Sequence, residues 1–185
     1  MSVAAVVLAA GGGTRFKGPV HKLVSPFRGR PLVEWSIAAA AGAGLDDMAV
    51  IVGAVDLGPA VPEGVSLVEN PEWASGQASS LQAAVRWAVE REHEVLVVGL
   101  GDQPLVPSGA WAAVAASPSP VAVATFGGLR RPPVRLHCSV WSLLPADGDE
   151  GARVLMGKRP DLVSEVACEG QPTDIDDEED LIRWS

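Results

Sequence analysis

Three consecutive glycines, Gly11, Gly12 and Gly13, follow the apolar run Val3–Leu8, and two cations, Arg15 and Lys22, come soon after them. Glycines let a backbone adopt positive φ and bring its N–H groups close to a bound anion. Arginine suits bidentate contact with phosphate oxygens, and lysine acts as a point charge. The grouping therefore reads as a phosphate loop rather than a merely flexible turn. Two common phosphate loops do not fit. A Walker A loop needs Gly-Lys and then Ser or Thr, which is absent. A dinucleotide fingerprint needs its third glycine where Phe16 stands, and Pro19 cannot lie inside a helix opened by this turn.

A carboxylate, Asp102, closes a second apolar run through Gly99-Leu100-Gly101, and an acidic group, Asp174, Asp176, Asp177 and Glu178, lies near the C-terminus. His21, His93 and His137 have no acid or base partner visible in the sequence. Cys138 and Cys168 are far apart, with no metal-ligand spacing, which speaks against structural zinc.

The elements that must position these residues follow from periodicity. Strands are expected at Val3–Leu8, Met48–Val52, Val65–Val68, Val95–Val98, Val121–Thr125, Val134–Leu136 and Leu162–Val166. Helices are expected from Pro31 to about Ala43, at Ser79–Arg91, Pro107–Ala116, Ala152–Met156 and Asp177–Trp184. In Ser79–Arg91, Leu81, Val85, Ala88 and Val89 share one face. The alternation predicts a three-layer α/β/α, Rossmann-like, mostly parallel sheet in a single domain over 1–185. Ligands of such folds sit beyond the carboxyl ends of the strands. That points to Ala9–Lys22, Glu69–Ser80, Gly99–Pro104 and the Pro-rich stretch Phe126–Pro133, read as a functional loop.

The 185 residues suit one core, and 48% hydrophobic with 20% charged residues is ordinary globular composition. A formal charge of −9 speaks against nucleic acid and anionic membrane as partners. The apolar N-terminus lacks a basic region and stops at the glycines, as a buried strand would, and no run is long enough to span a bilayer. A cytoplasmic protein is expected.

The motif Leu-Ala-Ala-Gly-Gly-Gly-Thr-Arg-Phe (8–16), followed by Lys22, resembles the signature of nucleotidyltransferases sharing the nucleotide-diphospho-sugar transferase fold. The molybdenum cofactor cytidylyltransferase group is the most similar. Asn70-Pro71-Glu72-Trp73 with Gly76 and Ala78-Ser79-Ser80-Leu81 resembles that group's base- and ribose-binding region. Gly101-Asp102-Gln103-Pro104 resembles its metal-binding turn. Gly148 to Arg153 resembles a motif of its acceptor half, and Asp174-Ile175-Asp176 its C-terminal signature. The ordered set spans nearly the whole chain.

The resemblance implies transfer of a nucleoside monophosphate, CMP from CTP first, to a phosphorylated acceptor, molybdopterin first, with release of pyrophosphate. It implies nucleotide contacts from Leu8, Ala9, Ala10, Gly11, Gly12 and Gly13, and from Asn70, Ser79 and Ser80. Arg15 is implied on the β- and γ-phosphates and Lys22 on the α-phosphate. Mg²⁺ is the implied cofactor, held by Asp102 and Asp176. Gln103, Arg130, Arg131 and Arg153 are implied on the acceptor, and a molybdoenzyme or its chaperone as a further partner.

Two segments depart from the pattern. Gly128-Leu129-Arg130-Arg131-Pro132-Pro133-Val134 stands where the group carries Gly-His-Pro, and Asp177-Glu178 replaces Thr-Pro. Asp177 suits a helix cap, and Ser79 and Ser80 suit either helix caps or ligand contacts. Trp73 is the tryptophan placed for a ligand, and His21 reads as an exposed loop residue. Three alternatives stand beside this reading: a guanylyltransferase or other nucleotidyltransferase with a different acceptor, a non-catalytic nucleotide-binding protein, and a dinucleotide oxidoreductase. The loop's missing third glycine and its cations weigh against the last.

Overall fold

The structure, a computed structural model, describes residues 1–185. Its centre is a seven-stranded sheet of β1 (Val3–Ala9), β4 (Asp47–Val52), β5 (Ser66–Glu69), β6 (Val95–Leu100), β7 (Val121–Phe126), β8 (Leu129–His137) and β9 (Val163–Ala167). The spatial order is β5-β4-β1-β6-β8-β7-β9. Every neighbouring pair is parallel except those made by β8, which runs antiparallel to β6 and β7. A small hairpin of β2 (Pro26–Phe27) and β3 (Arg30–Pro31) precedes the first helix; periodicity over two-residue strands gives no signal for it.

Side chains alternate across β1. Ala5, Val7 and Ala9 face one layer with Leu32, Val33 and Ile37 of α1 (Leu32–Ala41) and Trp111 of α3 (Ser108–Ala115). Ala4 and Val6 face the other, with Leu81, Ala84 and Trp87 of α2 (Gln77–Glu90) and Leu155 of α4 (Ala152–Lys158). Both faces of the central strands are thus apolar, as a covered parallel sheet requires. The expected α/β/α architecture is the one observed. No helix is long and apolar enough to cross a membrane.

One expectation is corrected. Phe126–Pro133 is not a loop. Gly127 and Gly128 turn the chain with φ of 57° and 83°, and Leu129–Arg131 pair with Ala124–Phe126. Pro132 and Pro133 sit where the β7–β8 register shifts, and β8 pairs with β6 only from Val134 onward. A bulge is one of the few places a sheet tolerates proline. That is why two prolines disguised the first part of a nine-residue strand whose Val134–Leu136 segment was expected.

Candidate active site

The glycine loop leaves the carboxyl end of β1 between β4 and β6. None of the N–H groups of Gly11, Gly12, Gly13, Thr14 or Arg15 donates to another group of the chain; the first bonded one is that of Phe16, to the Gly13 carbonyl at 2.9 Å. A run of free N–H donors ending a strand is a nest for an anion. Two side chains hold it in shape. The Trp73 ring lies against Gly12, where a Cβ would come within 3.0 Å of it, and against Gly53, where the distance would be 2.7 Å. His21 accepts the Leu23 N–H on Nδ1 at 3.3 Å, so Nε2 carries the proton that is given to the Gly11 carbonyl at 3.0 Å. Burial, then the charge of Lys22, hold the His21 imidazole below its ordinary pKa. His21 is therefore a neutral brace of the loop, not an exposed bystander.

Lys22 opens a 3₁₀ turn capped by His21, and its side chain is only 11% exposed. Its ammonium donates to Asp102 Oδ2 at 2.7 Å, to the Ile175 carbonyl at 3.1 Å and to Asp176 Oδ1 at 3.5 Å. Asp102 stands at the end of β6, where Gly101 donates its N–H to the Leu8 carbonyl at 2.9 Å. Ile175 is fully buried and donates to the Asp102 carbonyl at 3.0 Å, which sets Asp176 beside Asp102 although 74 positions separate them. Arg15, largely exposed, pairs with Asp176 at 2.9 Å. The rival carboxylate Asp174 is taken up by a different partner, accepting from Gln103 Nε2 at 2.8 Å. Burial and the charge of Asp102 raise its pKa, opposed by the Gln103 bond. Asp177 caps α5 (Glu178–Trp184), accepting from the Asp180 N–H at 2.9 Å.

These groups line a cleft of about 520 Å³ that also takes in Trp73, Gly76, Gln77 and Ser80 at the N-terminus of α2, a favourable place for an anion. Asp149 reaches the same cleft, packed against Gly76, and reading it only as part of a motif overlooked this position. A second cavity of about 330 Å³ adjoins it across Leu8, Gln77 and Leu100, and is lined by Arg130, Arg131, Arg153 and Glu150 over an apolar floor.

Some expected site residues fall elsewhere. Asn70 is 1% exposed and lines neither of these cavities. Its amide donates to Ser79 Oγ at 2.9 Å and Ser80 Oγ at 3.0 Å and accepts the Glu72 N–H, so its polar groups brace the loop before α2. Ser79 is not the helix cap, since α2 begins at Gln77 after Gly76. Its hydroxyl turns back to the Glu72 and Gly76 carbonyls. Gln103 is buried and bound to Asp174, away from both cavities. At the other end of the sheet, His93 does have partners, Ser2 Oγ at 2.7 Å and Asp47 Oδ2 at 3.2 Å. This contact ties together the starts of β1, β4 and β6.

A parallel sheet ending in an anion nest, a buried lysine and two converging carboxylates is the architecture of a nucleotidyltransferase. The chain belongs to the family of MobA-like NTP transferase domains, whose model matches residues 5–163. It is 33% identical over 198 residues to a protein named nicotine blue oxidoreductase from Paenarthrobacter nicotinovorans, covering 98% of this chain and 95% of that one. Its fold matches a nucleotidyl transferase from Methanothermobacter thermautotroptrophicus with a TM-score of 0.84, at 23% identity over 98% of this chain and 95% of the other. Rv0371c of Mycobacterium tuberculosis H37Rv, solved as a complex with manganese, matches with a TM-score of 0.78 and 25% identity over 100% and 98% of the two chains.

Proposed function

We propose that the chain, acting as a single unit over 1–185 in the cytoplasm, transfers a nucleoside monophosphate from a nucleoside triphosphate to the phosphate of a small acceptor. The observation that carries this is the run of five unbonded N–H groups from Gly11 to Arg15, next to Lys22 and Asp102. CTP is the first nucleotide and molybdopterin the first acceptor to consider, with a molybdoenzyme or its chaperone receiving the product.

The donor set fits Mg²⁺. Asp102 and Asp176 offer hard oxygens at the cleft, partly exposed, and no cluster of three or more His, Cys, Asp or Glu competes with them. Mg²⁺ is commonly held by one or two carboxylates plus phosphate oxygens and water. The manganese complex of Rv0371c supports a divalent cation here. When bound, the cation supplies charge neutralisation between the carboxylates and the α-phosphate.

The chain's own groups do the rest. The loop N–H groups hold the phosphates, and Arg15 swings from Asp176 onto the β- and γ-phosphates. Lys22 exchanges a carboxylate for an α-phosphate oxygen. An acceptor phosphate oxygen forms the new bond to the α-phosphorus as the bond to the bridging oxygen breaks, and that electron pair leaves with pyrophosphate. The attacking oxygen is already ionised, so no protein nucleophile or base is needed. Preorganised cations stabilise the charge as it shifts to the leaving group.

A second reading, reduction of a substrate by a dinucleotide cofactor, is favoured by the full-length likeness to nicotine blue oxidoreductase. Hydride transfer calls for no divalent cation between Asp102 and Asp176, so dependence on that cation separates the two. The test is incubation with each of the four nucleoside triphosphates, Mg²⁺ and molybdopterin, measuring pyrophosphate, beside NADH and NADPH oxidation with an added quinonoid dye as hydride acceptor. Release with CTP alone is expected. No release with any nucleotide, together with dinucleotide oxidation, would reverse the reading.

A further inference from the structure

Strand β8 carries a charge into the core. Arg135 stands between Val134 and Leu136, is only 2% exposed, and pairs in register with Val97 of β6 and Ala122 of β7. Cross-strand partners share a face, so its stem lies in the layer that α3 covers, where Val97, Trp111 and Ala122 are buried. Its guanidinium reaches the amino end of the sheet, opposite the glycine loop. There Nη1 donates to the carbonyl of Ser119, just before β7, and Nη2 meets Met1 Sδ, just before β1, at 3.8 Å. Nε is buried and donates to nothing in the chain. No carboxylate lies within salt-bridge distance of Arg135. Burial holds its pKa below the ordinary value, with no acidic neighbour acting against it.

A buried cation without a counter-charge is strongly destabilising, and here the shortfall falls on one edge of the group. Nε–H and one Nη2–H point the same way, and together they are an edge that arginine offers to an oxyanion through two parallel bonds. The oxygen that Arg135 does have is on Nη1. A thioether sulfur is a weak acceptor, and Met1 is 73% exposed, so its side chain gives up little by moving off. We propose that this edge of Arg135 binds the carboxylate of a small ligand, which displaces the Met1 side chain and accepts from Nε and Nη2 together. One negative charge balances one guanidinium, and two oxygens match two donors. A phosphate brings more charge and further oxygens, and no other side chain donates to Ser119 or Met1. Val97 and Ala122 are fully buried, so the body of the ligand extends outward, past Met1. The site is independent of the nucleotidyl-transfer reading, since neither Arg135 nor Met1 lines either cavity at the other end of the sheet.

The test reads Arg135 itself. The Nε–H resonance of Arg135, assigned through bonds from its own backbone in the magnetic resonance spectrum of the full chain, is followed at neutral pH. The titrants are sodium acetate, sodium chloride and inorganic phosphate at matched ionic strength. Acetate should move the resonance downfield and saturate, phosphate should bind there more weakly, and chloride should have no effect. A resonance that ignores acetate, that chloride moves equally, or that phosphate saturates more readily than acetate would overturn the proposal. Two variants give a second readout. Arg135→Lys keeps the charge without the paired donors, and Arg135→Met removes both. A ligand that binds only the folded state raises the unfolding midpoint, so replacing chloride by acetate should raise it more for wild type than for either variant. An equal rise in wild type and in a variant that still unfolds cooperatively would also overturn the proposal. Should neither variant fold, the wild-type titration decides alone.

Discussion

Lys22 places one ammonium against two carboxylates and Arg15 pairs with the second of them, so the two carboxylates stand free for a divalent cation only once phosphate draws those cations off. The residues reporting on this were legible to different degrees. The Gly11–Gly13 run and Asp102 stand out because each follows a buried strand, and Arg15 and Lys22 because they add cations to the glycine loop. Asp176 could be assigned only through resemblance, since Asp174 and Asp177 are its equals in sequence. The fold separates them by giving Asp174 to Gln103 and Asp177 to the cap of α5. His21 reads in the sequence as an exposed loop residue because its role is to hold a backbone carbonyl across the loop, a contact without local signature. It also carries a pH dependence. Its pKa in the fold lies below the unfolded value near 6.5, so the folded chain binds fewer protons between the two values. The contribution of neutral His21 is therefore fully present above about pH 6.5 and is lost as pH falls through the lower folded value. Thermal unfolding from pH 7.5 to 5 should show a steeper loss for wild type than for His21→Asn, which keeps an acceptor for the Leu23 N–H without an ionisable ring. Parallel profiles would contradict this role.

The strands and helices were legible wherever period and burial agree. β1, β4, β6 and β7 are nearly continuous apolar runs, and α2 has a clear apolar face. Only Val134–Leu136 of β8 was legible; its first part, Leu129–Pro133, reads as a loop because Pro132 and Pro133 are poor strand residues, and the bulge that accommodates them is a tertiary fact. The same strand carries Arg130 and Arg131 to the cavity on a sheet rather than a loop, which makes their positions firmer. Close packing between elements gives its own test. A Cβ on Gly99 of β6 would fall 2.3 Å from the buried Trp111 ring of α3. Gly99→Ala should cost about 1–3 kcal/mol by overpacking, lowering the thermal midpoint by roughly 3–10 °C. Gly11→Ala, whose Cβ would meet nothing within 4 Å, should leave the midpoint near wild type. Equal midpoints for the two variants would show that α3 does not pack on β6 as described.

Over the whole molecule a net charge of −9 coexists with a gathering of cations at one end of the sheet. Arg15, Lys22, Arg130, Arg131 and Arg153 line the two cavities there beside four carboxylates, Asp102, Asp149, Asp176 and Glu150, while acidic residues predominate in the chain as a whole. Such a distribution suits a small anionic ligand and not a polyanionic polymer. The MobA-like family and the α/β/α fold account for the overall frame, and the free loop N–H groups with the Lys22–Asp102–Asp176 cluster account for what it would hold. The most direct test needs no acceptor: titration of CTP into wild type and Asp102→Ala, each with and without Mg²⁺. The expected result is a gain in wild-type affinity of about tenfold or more on adding Mg²⁺, equivalent to at least about 1.4 kcal/mol, and loss of that gain in Asp102→Ala with the fold intact. CTP binding that ignores both Mg²⁺ and Asp102, or no binding of CTP or any other nucleoside triphosphate, would contradict it.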